Sequence, residues 1–190
     1  MFTGIVQAVG TIVRVQPFEI ECAGLDLADV AVGDSICVQG VCLTVTRISA
    51  PRFGADVSAE TLAVTTGLDR PGPVNLEKSL TLAQRLGGHL VAGHVDGVGE
   101  VERFDNGLLE VRAPQELARY IARKGSICVD GVSLTVNRVQ DSVFEAFLIP
   151  HTIAVTTLSG LRPGARVNLE VDLVARYVER LLDASRDVPR

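Results

Sequence analysis

The 190-residue chain has no tryptophan, and aromatic residues of all kinds make up only 4% of it. It also lacks any cluster of Lys and Arg, and its net charge is −5 with a pI near 5.2. So few base-stacking rings and phosphate-neutralising cations argue against nucleic acid as a partner. No apolar run approaches the roughly 18 residues that a membrane helix needs, so no membrane partner is expected. The opening MFTGIVQAVG resembles neither a secretory signal nor an Arg-rich transit peptide, and a cytoplasmic location is expected. Cysteine is sparse: Cys22, Cys37, Cys42 and Cys128 form no C-x-x-C pair. The three histidines, His89, His94 and His151, match no helical metal-binding spacing. Neither a disulfide framework nor a metal site is expected.

Against these absences stands a duplication. SICVQGVCLTV at 35–45 returns as SICVDGVSLTV at 126–136, and TGIVQAVGTI at 3–12 as AGHVDGVGEV at 92–101. ETLAVTTG at 60–67 matches HTIAVTTL at 151–158, and RPGPVNLE at 70–77 matches RPGARVNLE at 162–170. Two homologous units follow, at 1–89 and 90–171, with a tail at 172–190. Each copy is rich in Val, Ile and Thr in short segments broken by Gly, Pro, Asn and Asp. That pattern predicts an all-β fold of short antiparallel strands in a small barrel or sandwich.

Helix is expected in two places. Residues 113–121, APQELARYI, predict a short helix with Pro114 in its first turn and Leu117, Tyr120 and Ile121 facing a barrel end. The tail carries one apolar stripe, Leu173, Val174, Tyr177, Val178, Leu181 and Leu182, which must be buried on its own barrel or on other copies of the chain.

The repeated phrase reads as a hairpin, because Asp130-Gly131 suits a type I′ turn. Ile127, Val129, Val132 and Leu134 then share a core face, and Ser126, Cys128, Ser133 and Thr135 share the other. In the first copy Ile36, Val38, Val41 and Leu43 oppose Ser35, Cys37, Cys42 and Thr44. The hydroxyl and thiol face is either an ordinary solvated surface or a hydrogen-bonding surface for a small polar ligand. Cys37 and Cys128 are expected to be small, partly buried packing residues. The copies differ at Cys42 against Ser133 and at Glu60 against His151, by drift or by a division of labour.

MFTGIV, GVCLTV, DGVSLTV, GGHLVAGHVDGVG, IPHTIAVTTL and GARVNLEVD, in this order and spacing, resemble the riboflavin synthase family over nearly the whole chain. The resemblance implies tandem six-stranded antiparallel Greek-key barrels with a C-terminal α-helix. It implies one 6,7-dimethyl-8-ribityllumazine per barrel, and a dismutation that passes a four-carbon unit between two lumazines. The products are riboflavin and 5-amino-6-(ribitylamino)uracil, and no metal or cofactor is implied. It also implies a homotrimer built through the C-terminal helices, with the productive pair formed between barrels of neighbouring subunits. Association with lumazine synthase is a further expectation.

Carried over by motif, the first pocket uses Gly4, Ile5, Val6, Cys42, Leu43, Thr44, Asp56, Val57, Ser58, Ala59, Glu60 and Thr61. The second uses Gly93, His94, Val95, Lys124, Ser133, Leu134, Thr135, Phe147, Leu148, Ile149, Pro150, His151 and Thr152. His94 is the candidate proton-transfer group or a structural histidine. Ser35, Cys42 and Ser133 are candidates for orienting or activating the attacking group, and Asp130 for polarising neighbours unless it is only a turn residue. Two positions depart from the family pattern: Gln39 stands where Asn is frequent, and His151 where an acidic residue is. A non-catalytic lumazine- or flavin-binding protein is the principal alternative. A flavin reductase is disfavoured because GVGEVE at 97–102 lacks the G-x-G-x-x-G pattern.

Overall fold

The computed structural model describes residues 1–186, with side chains through residue 184; the end of the expected tail, 187–190, lies outside the described residues. The first barrel contains β1 (Ala8–Val15), β2 (Phe18–Glu21), β3 (Ser35–Val38), β4 (Val41–Ser49), β5 (Arg52–Ala55) and β6 (Gly72–Lys78), with α1 (Ala59–Val64) between the last two. The second contains β7 (Gly97–Asp105), β8 (Leu108–Arg112), β9 (Ser126–Val129), β10 (Val132–Gln140), β11 (Val143–Phe147) and β12 (Arg166–Val171), with α2 (Pro150–Val155) placed equivalently. Helix α3 (Leu173–Arg186) follows.

Around the first barrel the order is β1-β2-β5-β4-β3-β6, and the second repeats it strand for strand. Both sheets are closed, which removes the free edges that a short-stranded sheet would expose. The register shifts once in β1 between Ile12 and Arg14 and again in β4 between Val45 and Arg47. It shifts at the equivalent places in β7 and β10. Such bulges bend the long strands and let six of them close into a ring.

The hairpin register is the predicted one. Val132 pairs with Val129, Ser133 with Cys128, Leu134 with Ile127 and Thr135 with Ser126. Both turn pairs have positive φ, Gln39-Gly40 as well as Asp130-Gly131. The predicted core faces are buried in their barrels. Cys37 directly opposes Cys42 across the first hairpin, yet all four thiols are free.

On the opposite faces Cys37 and Cys128 are packing residues as expected, but almost completely rather than partly buried, and they pack with Phe2, Val91 and Cys42 in a small core between the barrels. The half of each face near the turn is therefore an internal seam. Cys42 and Ser133 are half-buried at its margin, and Thr44 and Thr135 in the far half are exposed. Burial pushes both thiols well above the usual cysteine range, which keeps them protonated and inert.

Two buried asparagines lock the seam. Asn75 Nδ2 donates to the Asp130 carbonyl (2.8 Å), and its Oδ1 accepts the Thr157 N–H (2.8 Å). Asn168 mirrors it, donating to the Gln39 carbonyl (2.9 Å) and accepting the Thr66 N–H (2.8 Å).

The short helix expected at 113–121 is a 3-10 turn, Gln115–Tyr120, with Pro114 capping it rather than lying in its first turn. Leu117 and Ile121 are buried in the second core as expected. Helix α3 docks through its polar side: Arg119 meets Glu179 (2.7 Å), the Tyr120 hydroxyl donates to Glu179, and Arg176 pairs with Asp96. Its stripe faces away from its own barrel, with Val174, Tyr177, Val178, Leu181 and Leu182 each at least half exposed and Leu173 half-buried. Among the described residues no helix is long and apolar enough to cross a membrane.

Candidate active site

Each barrel is completed by a segment that belongs, in sequence, to the other. Gly4 lies against Ser133 of the second barrel, where its carbonyl accepts the Ser133 N–H (2.8 Å), and Val6 packs on the second core. Symmetrically, the Gly93 carbonyl accepts the Cys42 N–H of the first barrel (2.8 Å), and Val95 packs on the first core. A paired bridge between Phe2 and Val91 marks where the two segments cross. Both glycines have positive φ, and a Cβ on Gly4 would stand 2.6 Å from Ser133 Cβ, one on Gly93 2.7 Å from Cys42 Cβ. Only glycine allows so close an approach.

The motif-based grouping is therefore corrected. Gly93, His94 and Val95 join Cys42, Leu43 and Thr44, while Gly4, Ile5 and Val6 join Ser133, Leu134 and Thr135. The other parts of each group come together through strand pairing. Val45 pairs with Ala55, so Asp56 follows beside Thr44, and Val136 pairs with Ala146, so Phe147 follows beside Thr135.

At the first pocket the chain leads from Asp56 into α1, capped by Ser58, whose Oγ accepts the Thr61 N–H (3.0 Å) and lies 2.9 Å from the Thr61 hydroxyl. Ala59 and Glu60 are exposed and Val57 packs on the core. At the second, Ile149 and Pro150 replace the polar cap, and His151 is exposed. The two expected pockets thus differ in the side chains exposed at their equivalent positions: Asp56, Ser58 and Glu60 at one, Phe147, Ile149 and His151 at the other. Phe147, Pro150, Ile153, Ala154 and Gly107 line an apolar groove of about 470 Å³ on the second barrel, within the size range of small-molecule sites.

Not every expected contact presents a side chain. Leu43, Leu134 and Leu148 are buried in the barrel cores, leaving only their backbone for a ligand. Asp130 is set apart from the pockets: it is 3% exposed, and its carboxylate accepts the Asn168 N–H (2.8 Å) beneath the turn. It belongs to the seam, and burial raises its pKa to about 7. Ser35 is half-buried beside Thr44, its carbonyl accepting the Ser79 hydroxyl (2.6 Å). Lys124 is exposed with positive φ, its N–H donating to Val136. His94 is exposed at a cleft of about 290 Å³ shared with Val95, Asp96, Glu170 and Arg176. Thr152 is half-buried, and its carbonyl accepts the Thr156 hydroxyl (2.7 Å).

Three residues were missing from the motif-based set. His89 Nδ1 lies 2.7 Å from Ser133 Oγ, and its Nε2 is buried with no hydrogen-bond partner among the described residues. Burial lowers its pKa, so the ring is neutral near pH 7. Glu77 and Glu170, at equivalent places in the VNLE repeats, hold the crossing segments. The doubled VNLE was the available signal for the carboxylates; His89 has no counterpart in the first copy that could have singled it out.

Residues 3–79 and 92–172 each match the lumazine binding domain family. The chain is 46% identical to the riboflavin synthase of Photobacterium phosphoreum over 194 residues, covering 96% of this chain and 89% of that protein. The chain belongs to the riboflavin synthase family. The Mycobacterium bovis riboflavin synthase is also 46% identical, with 96% of this chain and 98% of that protein covered. Among solved structures, LumP complexed with 6,7-dimethyl-8-(1′-D-ribityl) lumazine superposes with a TM-score of 0.74 at 25% identity, covering 90% of this chain and 99% of LumP. Likeness to the synthases is thus far stronger in sequence than likeness to LumP, which shares the barrel fold of this chain.

Proposed function

We infer that this chain converts two molecules of 6,7-dimethyl-8-ribityllumazine into riboflavin and 5-amino-6-(ribitylamino)uracil by four-carbon transfer. The observation that carries the reading is one lumazine-binding domain written twice, with unequal groups at the equivalent pocket positions: Cys42 against Ser133. A dismutation needs two identical substrates in opposite roles, and two barrels of one topology with different reactive groups supply them. Much of the acceleration comes from alignment, since holding two reactants in register replaces roughly 7–11 kcal/mol of a bimolecular barrier.

His94 serves as the proton-transfer group at the acidic C7 methyl of one lumazine, because an imidazole can both accept and return a proton. Cys42 at one pocket, and Ser133 with His89 behind it at the other, orient or activate the group that adds to C7. A neutral His89 can accept a hydrogen bond from the Ser133 hydroxyl, which an imidazolium could not.

On this reading residues 1–89 and 90–171 form the two binding units and 172–190 the trimerisation tail. The productive pair forms between barrels of neighbouring subunits in a homotrimer, and the exposed stripe of α3 supports that assembly. Four free thiols fit a reducing, cytoplasmic setting. Association with lumazine synthase belongs to the same reading.

The test is incubation of the purified chain with the lumazine alone. Riboflavin and the pyrimidine should accumulate in equal amounts without added cofactor. Binding without turnover would sink the enzyme in favour of a ligand-carrying protein, and a strict need for NAD(P)H would point to a reductase.

A further inference from the structure

Two carboxylates stand where the crossing segments leave their own barrels. Glu77, on β6 and 3% exposed, accepts the Thr3 N–H (2.7 Å), the Thr3 hydroxyl (2.6 Å) and the Gly4 N–H (2.9 Å). Glu170, on β12 and 5% exposed, accepts three consecutive N–H groups: Ala92 (2.6 Å), Gly93 (2.9 Å) and His94 (3.1 Å). The threonine hydroxyl of the first copy is replaced by a third backbone donor in the second, so each carboxylate has three partners.

A helix or strand would satisfy these N–H groups within its own ladder. Here the crossing backbone has left its ladder, and the carboxylate is the acceptor that permits it to be buried. The next bond along each segment goes to the other barrel, from Gly4 to Ser133 and from Gly93 to Cys42. Carboxylate, crossing glycine and pocket residue therefore form one continuous chain of contacts.

We propose that Glu170 and Glu77 are positioning residues for the reaction, each fixing from its own barrel the backbone that completes the pocket of the other. Glu170 sets the place of Gly93 against Cys42 and of the His94 backbone that follows it, and Glu77 sets the place of Gly4 against Ser133. Charge is part of the device, because ionised acceptors bind N–H donors about twice as strongly as neutral ones. A glutamine there offers one oxygen and turns an NH2 group toward N–H donors, so it cannot hold all three.

This inference rests on the riboflavin synthase reading, and its test is a double-mutant cycle on kcat/KM at constant fold. His94→Ala is expected to lower kcat/KM about 100-fold, and Glu170→Gln about 10-fold through displacement of the same group. Together they should fall little below His94→Ala alone, because the carboxylate acts through the histidine. Glu77→Gln combined with His94→Ala should multiply, since that carboxylate serves the other pocket. Losses that multiply for Glu170→Gln and His94→Ala would overturn the proposal, showing a general structural role. If Glu170→Gln does not fold, Glu77→Gln with Ser133→Ala is the same cycle at the other pocket, and multiplying losses there overturn it equally. Absence of riboflavin from the unmodified chain strikes the reaction instead; the same variants titrated for lumazine affinity still show or refute the coupling.

Discussion

Asp130 and Gln39 hold equivalent turn positions, and their side chains do equivalent work. The Gln39 Oε1 accepts the Asn75 N–H (2.9 Å) as the Asp130 carboxylate accepts that of Asn168. An amide therefore suits the site, whereas the carboxyl is buried and its pKa is raised to about 7 by loss of solvation. The unfolded chain releases this proton near the ordinary aspartate pKa, while the folded chain keeps it until about pH 7. Stability is lost as pH rises through that window, at about 1.4 kcal/mol per pH unit crossed. Asp130→Asn removes the effect. Its melting temperature should match the wild type near pH 4 and exceed it by a margin that grows to pH 7 and then levels off, as calorimetry across pH would show.

At the scale of elements, α3 inverts the usual arrangement of an amphipathic helix. Its charged side is spent on its own barrel through Glu179 and Arg176, and its apolar side is left outward. A stripe with five large hydrophobic residues at least half exposed stays soluble when covered, and in the proposed homotrimer a like stripe on another copy would cover it without unpaired polar groups. Val178→Glu with Leu181→Glu should leave the far-ultraviolet spectrum of the barrels unchanged and bring the sedimenting mass down to one chain. If the productive pair forms between subunits as proposed, riboflavin formation should fall at least about 10-fold with it. A wild-type chain that sediments as a monomer would remove the basis of this expectation.

For the whole molecule, the seam should make the two barrels one cooperative unit. Asn75 and Asn168 each tie a turn and a loop of the opposite barrel, and the crossing segments bury Phe2 and Val91 between them. Replacing both asparagines by alanine removes five cross-barrel bonds and strands buried partners, at a cost on the order of 5 kcal/mol. The expected result is a single calorimetric transition for the wild type and a broadened or split one for the double variant, with the ratio of calorimetric to van't Hoff enthalpy rising above one. A double variant that still melts in one sharp step would show that the seam's apolar contacts alone couple the barrels.

Much of this was legible in the residues. Repetition announced two units, Asp-Gly and Gln-Gly placed the hairpin turns, and period-two alternation fixed which side chains face each core. These features are local: a turn needs its own φ angles and a strand its own alternation, so neighbouring residues suffice to specify them. Other features needed the folded chain. Cys37 and Cys128 lie on a face that reads as polar, and only the second barrel pressed against it makes that face a buried seam. The crossing of the two segments was equally hidden. TGIV and AGHV are copies of one motif, and each fits either barrel by its own pattern, so the sequence determined that each pocket needs such a segment. Which segment serves which pocket was decided by the tertiary structure, through the Phe2–Val91 bridge, the carboxylates of Glu77 and Glu170, and the glycines that let each backbone reach the opposite strand.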